Sequence, residues 1–505
     1  MSPSETRQRH LVWWGVFLSF AALYLLTTQR GVGWQDSGIF QYRILQGVWY
    51  AGEGLARAHP LYTALGRLIL RLPLGAYTWR LNALSGIGMA LAVANLAAIL
   101  LELESRPWVA VAGAAILGVA HTPWWLATIA EVYTLGVAGL TLEILLLLRL
   151  IDHPRPRTAI ALALVCGLGF SLHNLALVGM AVYGLVGLIL LVQRRLPLWV
   201  IPAAAGAFAV GGGLLVSMIV QQALETGLWP AIHSALFGIY ASQVMTVLPS
   251  LGNLRNNLAL TALNFGSLLL PLLLWGIWRA KERVGRTKAA ALIGLFAIEL
   301  LFVIRYDVPD QFTFMLPTLA TIAVLAGIGL DDLADRRPRL AWSAALVSIL
   351  LPPLLYGLIP LAAHRLGIDL TRARALPYRD EMRYWVTPWK HNETSAQRFA
   401  QEALAQVAPD GILIADWTTI DTLRVQQTLT GEHPEVAIYA ISRWRNVWQN
   451  GSGESDPYRL QEEHGIWIVS PVKRYAPSSI LHYADTEQEG VLYRVTLHPE
   501  VRAEQ

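Results

Sequence analysis

Long apolar runs separated by short polar breaks dominate the first 364 residues. A helix needs about 20 apolar residues to cross roughly 30 Å of hydrocarbon. Runs of this kind fall at 11–28, 79–101, 108–121, 131–149, 158–174, 175–192, 198–220, 258–278, 289–304, 312–330 and 340–361, which predicts eleven transmembrane helices for residues 1–364. Beyond them the texture changes. An arginine-rich connector covers 365–394, and in 395–505 a helical stretch at 394–408 leads into a short apolar run at 411–415, a helical stretch at 418–430 and a second run at 436–440. Runs of four to six apolar residues between helix-period segments read as buried strands, and their alternation with helices suggests a βαβ-type module. Two more strands are expected at 465–470 and 491–497. The fold class is therefore a polytopic α-helical membrane protein with a C-terminal soluble α/β domain.

Composition agrees with lipid as the main solvent: 54% of residues are hydrophobic, 15% are charged and the mean hydropathy is +0.44. A soluble chain carries nearer a quarter charged residues. The net charge of +4 comes with no basic cluster beyond the connectors between spans, so no nucleic-acid partner is expected. Cys166, inside an apolar run, is the only cysteine, which excludes a disulfide framework and a thiolate metal site. Tryptophans such as Trp34, Trp124, Trp125 and Trp199 stand near span ends, where an amphipathic ring suits the headgroup region.

Charge asymmetry gives an orientation. With the N-terminus inside, the connectors 102–107, 149–157, 193–196, 279–288 and 331–339 hold fourteen Lys/Arg, whereas the longer opposite segments hold eight. Positive charge favours the cytoplasmic side, so the sequence predicts a multi-pass protein of the cell (plasma) membrane with its N-terminus cytoplasmic and its C-terminal domain extracytoplasmic.

The residues able to do chemistry gather on that outer side. Asp36 lies between aromatics directly after the first span, placed either to act as a general base or to cap a helix over 38–50. His59-Pro60-Leu61-Tyr62 opens an amphipathic stretch expected to lie on the membrane surface. Glu131, followed by Val132-Tyr133, His173-Asn174, and Arg305 with Asp310 sit at other span mouths, where an ionisable group is a functional candidate because burying it unpaired is costly. Glu143 and Glu299 fall inside spans and are read as structural. No GxGxxG or P-loop occurs, and no nucleotide site is expected.

The order of these pieces resembles the GT-C class of polytopic glycosyltransferases, specifically the bacterial families grouped with transmembrane protein O-mannosyltransferases. The similar segments are Gly33-Trp34-Gln35-Asp36-Ser37-Gly38, His59-Pro60-Leu61-Tyr62, Arg80-Leu81-Asn82-Ala83-Leu84, Glu131-Val132-Tyr133, Ser171-Leu172-His173-Asn174, and Asp310-Gln311-Phe312-Thr313. The tail Gly411-Ile412-Leu413-Ile414-Ala415-Asp416 is similar as well. Two departures are visible. Ile39 stands where the pattern has a second acid, and the His-Pro segment is shortened.

The resemblance implies an inverting transfer of a sugar, with mannose the candidate, from a polyprenyl-phosphate donor to a protein or glycan hydroxyl. Asp36 matches the family's catalytic position. His59, Tyr62, Glu131, Tyr133, His173, Asn174, Arg305 and Asp310 are the expected substrate-binding residues, with Arg305, His59 and His173 as counter-charges for the phosphate. No metal is required by such a donor. Two readings compete: a GT-C enzyme acting on a lipid or cell-wall glycan, and a transporter or flippase coupled through Glu143 and Glu299, which polar groups gathered at one mouth disfavour.

Overall fold

In the computed structural model, residues 3–50, 54–238, 245–246, 248–265, 269–308, 310–369 and 374–499 are described. The first half of the chain forms α1 (Pro3–Thr27), α2 (Gln35–Gln46), α3 (Pro60–Ile69), α4 (Tyr77–Glu102), α5 (Pro107–Gly118), α6 (His121–Ala127), α7 (Tyr133–Asp152), α8 (Pro156–Leu172), α9 (Ala176–Val192), α10 (Val200–Gly211), α11 (Gly213–Thr226) and α12 (Leu228–Leu236). The predicted apolar runs are largely helical, but those at 108–121, 198–220, 258–278 and 312–330 are each divided between two helices, namely α5 and α6, α10 and α11, Leu251–Asn264 and Leu269–Val284, and Gln311–Phe314 and Leu316–Arg336.

By length and composition, five described helices can each cross a membrane: α1, α4, α7, Leu316–Arg336 and Pro338–Leu366. Counting the bent pairs α5–α6, at 69°, and α10–α11, at 84°, as single spans makes seven. Four of the eleven predicted runs fall outside that count: α8 and α9 have 17 residues each, Leu269–Val284 has 16 with Lys281 and Arg283 in its last turn, and Arg286–Val303 carries Arg286, Lys288 and Glu299. An apolar run in sequence therefore overstates how much regular helix the chain makes of it.

The helices differ in what they face. α4 is buried on nearly all sides, with Leu81, Met89, Val93, Leu96 and Leu100 at 0% exposure, so it is the central staff of the bundle. α1, by contrast, buries only Val16, Ala21 and Tyr24 and leaves Leu11, Trp14, Leu18 and Leu26 exposed, as a lipid-facing helix should. Small residues permit the closest helix contacts. A Cβ at Gly276 would run into the carbonyl oxygen of Leu325, and one at Gly329 into that of Leu272, so Leu269–Val284 and Leu316–Arg336 meet backbone to backbone.

Ion pairs tie the basic connectors into one end of the bundle. Arg106 and Arg283 both reach Asp331 and Asp335, Arg279 and Arg336 hold the buried Asp332, and Glu102 takes Arg9 and Arg149. Lys288 joins Asp152. Four of the five connectors that the charge count groups together, 102–107, 149–157, 279–288 and 331–339, are thus joined by ion pairs. The opposite end carries α2, α3, α6 and the C-terminal domain.

That domain is a five-stranded sheet in the order β2-β1-β3-β5-β4, with β1 Ile412–Ala415, β2 Ala437–Ala440, β3 Ile466–Ile468, β4 Ala484–Glu489 and β5 Leu492–Leu497. β1 pairs parallel with β2 and β3, and β5 pairs antiparallel with β3 and β4. The four strands expected from apolar runs are present. β4 (ADTEQE) was not legible, because it is a polar edge strand with one neighbour and no face in the core.

The connector is no passive linker. Trp385 stacks on Trp125 at 5.6 Å, Trp389 lies 5.5 Å from Trp124, and His121 Nε2 meets the Trp385 carbonyl at 2.7 Å. The backbone N–H of Lys390 donates to Thr27 O at 2.7 Å. Trp34, Trp124 and Trp125 are accordingly buried at 2%, 6% and 3%, so they are packing residues and not headgroup anchors.

If backbone contact governs the stability of the bundle, Gly276→Ala and Gly329→Ala each cost about 1–3 kcal/mol by overpacking. Both should lower the unfolding temperature in detergent. Gly184→Ala, where an added Cβ meets nothing within 4 Å, should leave it unchanged, and equal behaviour of the three variants would refute the assignment.

Candidate active site

The site begins with α2. Trp34 occupies the N-cap position in extended conformation, and Asp36 lies one residue into the first turn, where the helix dipole favours a carboxylate. Asp36 is therefore not the capping residue. Gly47 closes the helix with φ +69°, its N–H donating to the Arg43 and Ile44 carbonyls. Gln41, on the buried face, accepts from Gly33 N at 3.0 Å and donates to Asn82 Oδ1 at 3.0 Å, and Asn82 Nδ2 donates to Gln29 O at 2.9 Å. This chain of side-chain bonds anchors α2 to α4.

Two further carboxyl groups, Glu131 and Asp310, converge on Asp36. Glu131, between α6 and α7, is 5% exposed, and Ser85 fixes its backbone through Glu131 N to Ser85 Oγ at 2.8 Å and Ser85 Oγ to Glu131 O at 3.0 Å. Its Oε2 is buried without a hydrogen-bond partner. Burial raises the Glu131 carboxyl well above the usual range, and Asp36 and Asp310 push it the same way. Asp310 is itself pushed up to about 7, by burial first and by Asp36 second, with Arg57 pulling back. Arg57 is the cation of the cluster, its guanidinium 4.0 Å from Asp36 Oδ1. Arg43 sits behind it, donating to the Arg57 carbonyl at 2.8 Å.

The two histidines form the opposite wall. The rings of His59 and His173 stack at 5.1 Å, and Tyr133 and Phe314 lie 5.2 Å and 5.8 Å from His173. His59 stands in the left-handed region at φ +48°, ahead of Pro60 at the first turn of α3, a sparsely populated conformation of the kind that marks functional sites. Burial, then His173, Arg43 and Arg57, hold His59 well below the usual imidazole value, and burial lowers His173 to about 4. Both rings are neutral near pH 7. His59 Nδ1 lies 2.6 Å from Leu172 O and so carries the proton, while His173 Nδ1 accepts from Leu175 N at 3.0 Å, which leaves an Nε2–H to donate.

The expected residues do not all meet. Asp36, His59, Glu131, Tyr133, His173 and Asp310 come together, with Tyr62 fully buried beneath them and close enough to feel Glu131. Asn174 instead braces the corner between α8 and α12, donating to Leu236 O at 2.8 Å. Arg305 is exposed and turned aside, its Nε donating to Thr246 O at 2.9 Å. The arginine beside Asp36 is Arg57. Its signal in sequence was slight, a lone arginine two positions before His59. The acid missing at Ile39 is offset by Glu131 and Asp310, which only folding brings near Asp36. Among the described residues, no group of three or more His, Cys, Asp or Glu is arranged to hold a metal ion.

A family model described as the protein O-mannosyl-transferase TMEM260 N-terminal domain matches residues 58–196, a stretch that contains His59, Tyr62, Glu131, Tyr133, His173 and Asn174. Among solved structures, ArnT from Cupriavidus metallidurans is similar over nearly the whole chain. Its undecaprenyl-phosphate-bound form gives a TM-score of 0.57 and its apo form 0.58, each at 15% identity, covering 96% of this chain and 97% of that one. The chain has a GT-C fold. The arabinofuranosyltransferase AftD from mycobacteria gives a TM-score of 0.48 at 12% identity, over 95% of this chain and 40% of its own. No curated protein matches by sequence.

Within this GT-C fold the carboxyl cluster has a consequence for stability. A carboxyl raised from 3.8 to about 7 binds its proton more tightly in the folded protein. Its contribution is thus full below 3.8 and is lost as pH rises toward 7. Thermal unfolding in detergent should show stability declining over that window, and Asp310→Asn should flatten part of the decline. An unchanged slope would contradict the placement of Asp310.

Proposed function

We propose that this protein is an integral membrane glycosyltransferase that moves a sugar, with mannose the leading candidate, from a polyprenyl-phosphate-linked donor to an acceptor hydroxyl on the extracytoplasmic side, with inversion. The observation that carries the reading is the meeting of Asp36, Glu131, Asp310 and Arg57 beside two neutral histidines at one mouth of a GT-C bundle. The match to an O-mannosyl-transferase domain and the undecaprenyl phosphate in the ArnT structure support the substrate class. A protein hydroxyl is the favoured acceptor on the same grounds.

In this mechanism Asp36 takes the proton of the acceptor hydroxyl as its oxygen attacks the anomeric carbon. The bond from that carbon to the phosphate oxygen breaks, and the lipid phosphate leaves with the electron pair. Arg57 meets the developing charge, and neutral His173 offers an Nε2–H to it. Glu131 and Asp310 work differently. Burial and the neighbouring Asp36 raise both carboxyls, Asp310 to about 7, so they can hold a proton near neutral pH and hydrogen-bond sugar hydroxyls with less charge beside the base.

Asp36→Asn keeps the shape and removes the base, so transfer from polyprenyl-phosphate mannose in proteoliposomes should fall by about 10²–10⁴-fold, with the protein still inserted. Near-normal transfer by this variant would remove the catalytic assignment.

A further inference from the structure

We propose that the C-terminal domain is the positioning half of the active site: Thr418 and Thr422 hold the backbone of Gln35 and Gly33, Ser395 holds the indole of Trp34, and together they aim Asp36. The inference rests on the reading of Asp36 as the base. Three successive residues just before Asp36 each make one hydrogen bond to that domain. Thr422 Oγ1 donates to Gly33 O at 2.8 Å, Trp34 Nε1 donates to Ser395 Oγ at 2.9 Å, and Gln35 N donates to Thr418 O at 3.2 Å. Among the described residues, the membrane bundle supplies one side-chain bond here, from Gly33 N to Gln41 Oε1.

The grip has a conformational task. Gln35 stands at φ +55°, in the left-handed region that residues other than glycine rarely adopt. A residue held so persists only where its surroundings over-determine it, and here the Thr418 carbonyl is the partner of its N–H. Contact is close enough that a Cβ on Gly38 would lie 3.2 Å from Thr422 N and 3.0 Å from Gly33 O. The indole of Trp34 fills the seam against Phe399, at 5.4 Å between ring centroids.

Thr418 is itself fixed from within the sheet. Asp416, 1% exposed at the end of β1, accepts from Thr418 N at 2.9 Å, from Thr418 Oγ1 at 2.5 Å and from Thr419 Oγ1 at 3.1 Å. Arg374 neutralises it at 2.8 Å. A path of short contacts thus runs from Arg374 and Asp416 through Thr418 to Gln35, the residue before the base. Asp416 acts through others and touches no substrate, which makes it a positioning residue.

The test uses the full chain in proteoliposomes with polyprenyl-phosphate mannose. Thr422→Val and Ser395→Ala each delete one seam bond, and Asp416→Asn loosens Thr418. A displacement of the base by about 1 Å costs on the order of 10²-fold in rate, so kcat should fall toward that value with the donor KM within about twofold. Ser479→Ala, which removes the bond from Trp444 Nε1 inside the same domain, should leave kcat unchanged. A second readout is independent of chemistry. Asp36 is 31% exposed, so Asp36→Cys can be alkylated by a membrane-impermeant maleimide, and its labelling rate should shift when Thr422→Val is added and not when Ser479→Ala is added. Unaltered labelling and kcat in the folded seam variants overturn the proposal. Shifted labelling together with an active Asp36→Asn enzyme would instead sink the base assignment and leave the seam standing.

Discussion

Holding like-charged carboxyl groups close together and out of water is the constraint on which the rest of this structure depends. Asp36, Glu131 and Asp310 come from the first turn of α2, the break between α6 and α7 and the loop after the helix Arg286–Val303. Charged carboxylates in such a place repel one another and lose hydration. The structure answers by placing one guanidinium, Arg57, beside Asp36 and by burying the other two carboxyls, which raises both so that they can hold a proton near neutral pH. Asp36, half-buried in the first turn of α2, is the member that lies beside that guanidinium.

Asp36 is held in a frame that the chain builds from three sides. On the membrane side, Gln41 and Asn82 tie α2 to the most buried helix of the bundle. On the other, a parallel βαβ layer offers the loop after β1 and the helix Ile420–Thr430 to the same backbone. The connector closes the third side with stacked tryptophans and with Lys390, whose ammonium donates to the Tyr384 and Thr387 carbonyls. Burial lowers that lysine to about 7. The domains are distinct in architecture and joined at the site.

Much of this was legible in the sequence for a simple reason. In a chain this apolar, any acid or histidine at the end of a hydrophobic run stands out, and Asp36, His59, Glu131, His173 and Asp310 were all found that way. What the pattern lacks is side-chain direction. Arg305 has the right charge at the right end, yet it bonds to Thr246, whereas Arg57 lies in a stretch with no periodicity to point at it. Among the described residues five to seven helices have the length and composition to cross a membrane, and hydropathy alone does not register the breaks at Gly118–His121 and Gly211–Gly213 that bend two of them. The contact between Gly33–Gln35 and Thr418–Thr422 joins segments nearly four hundred residues apart, beyond the reach of any local pattern.

The central claim is that the outer mouth beside Arg57 receives the phosphate of a lipid-linked donor. It is tested most directly by a structure of the full chain in lipid with a polyprenyl phosphate bound. The account predicts phosphate density within hydrogen-bond reach of Arg57 and of His173 Nε2, with the prenyl tail running from there into the bilayer. Phosphate held instead at Arg305, or at the opposite end of the bundle among Arg106, Arg279 and Arg283, would contradict it.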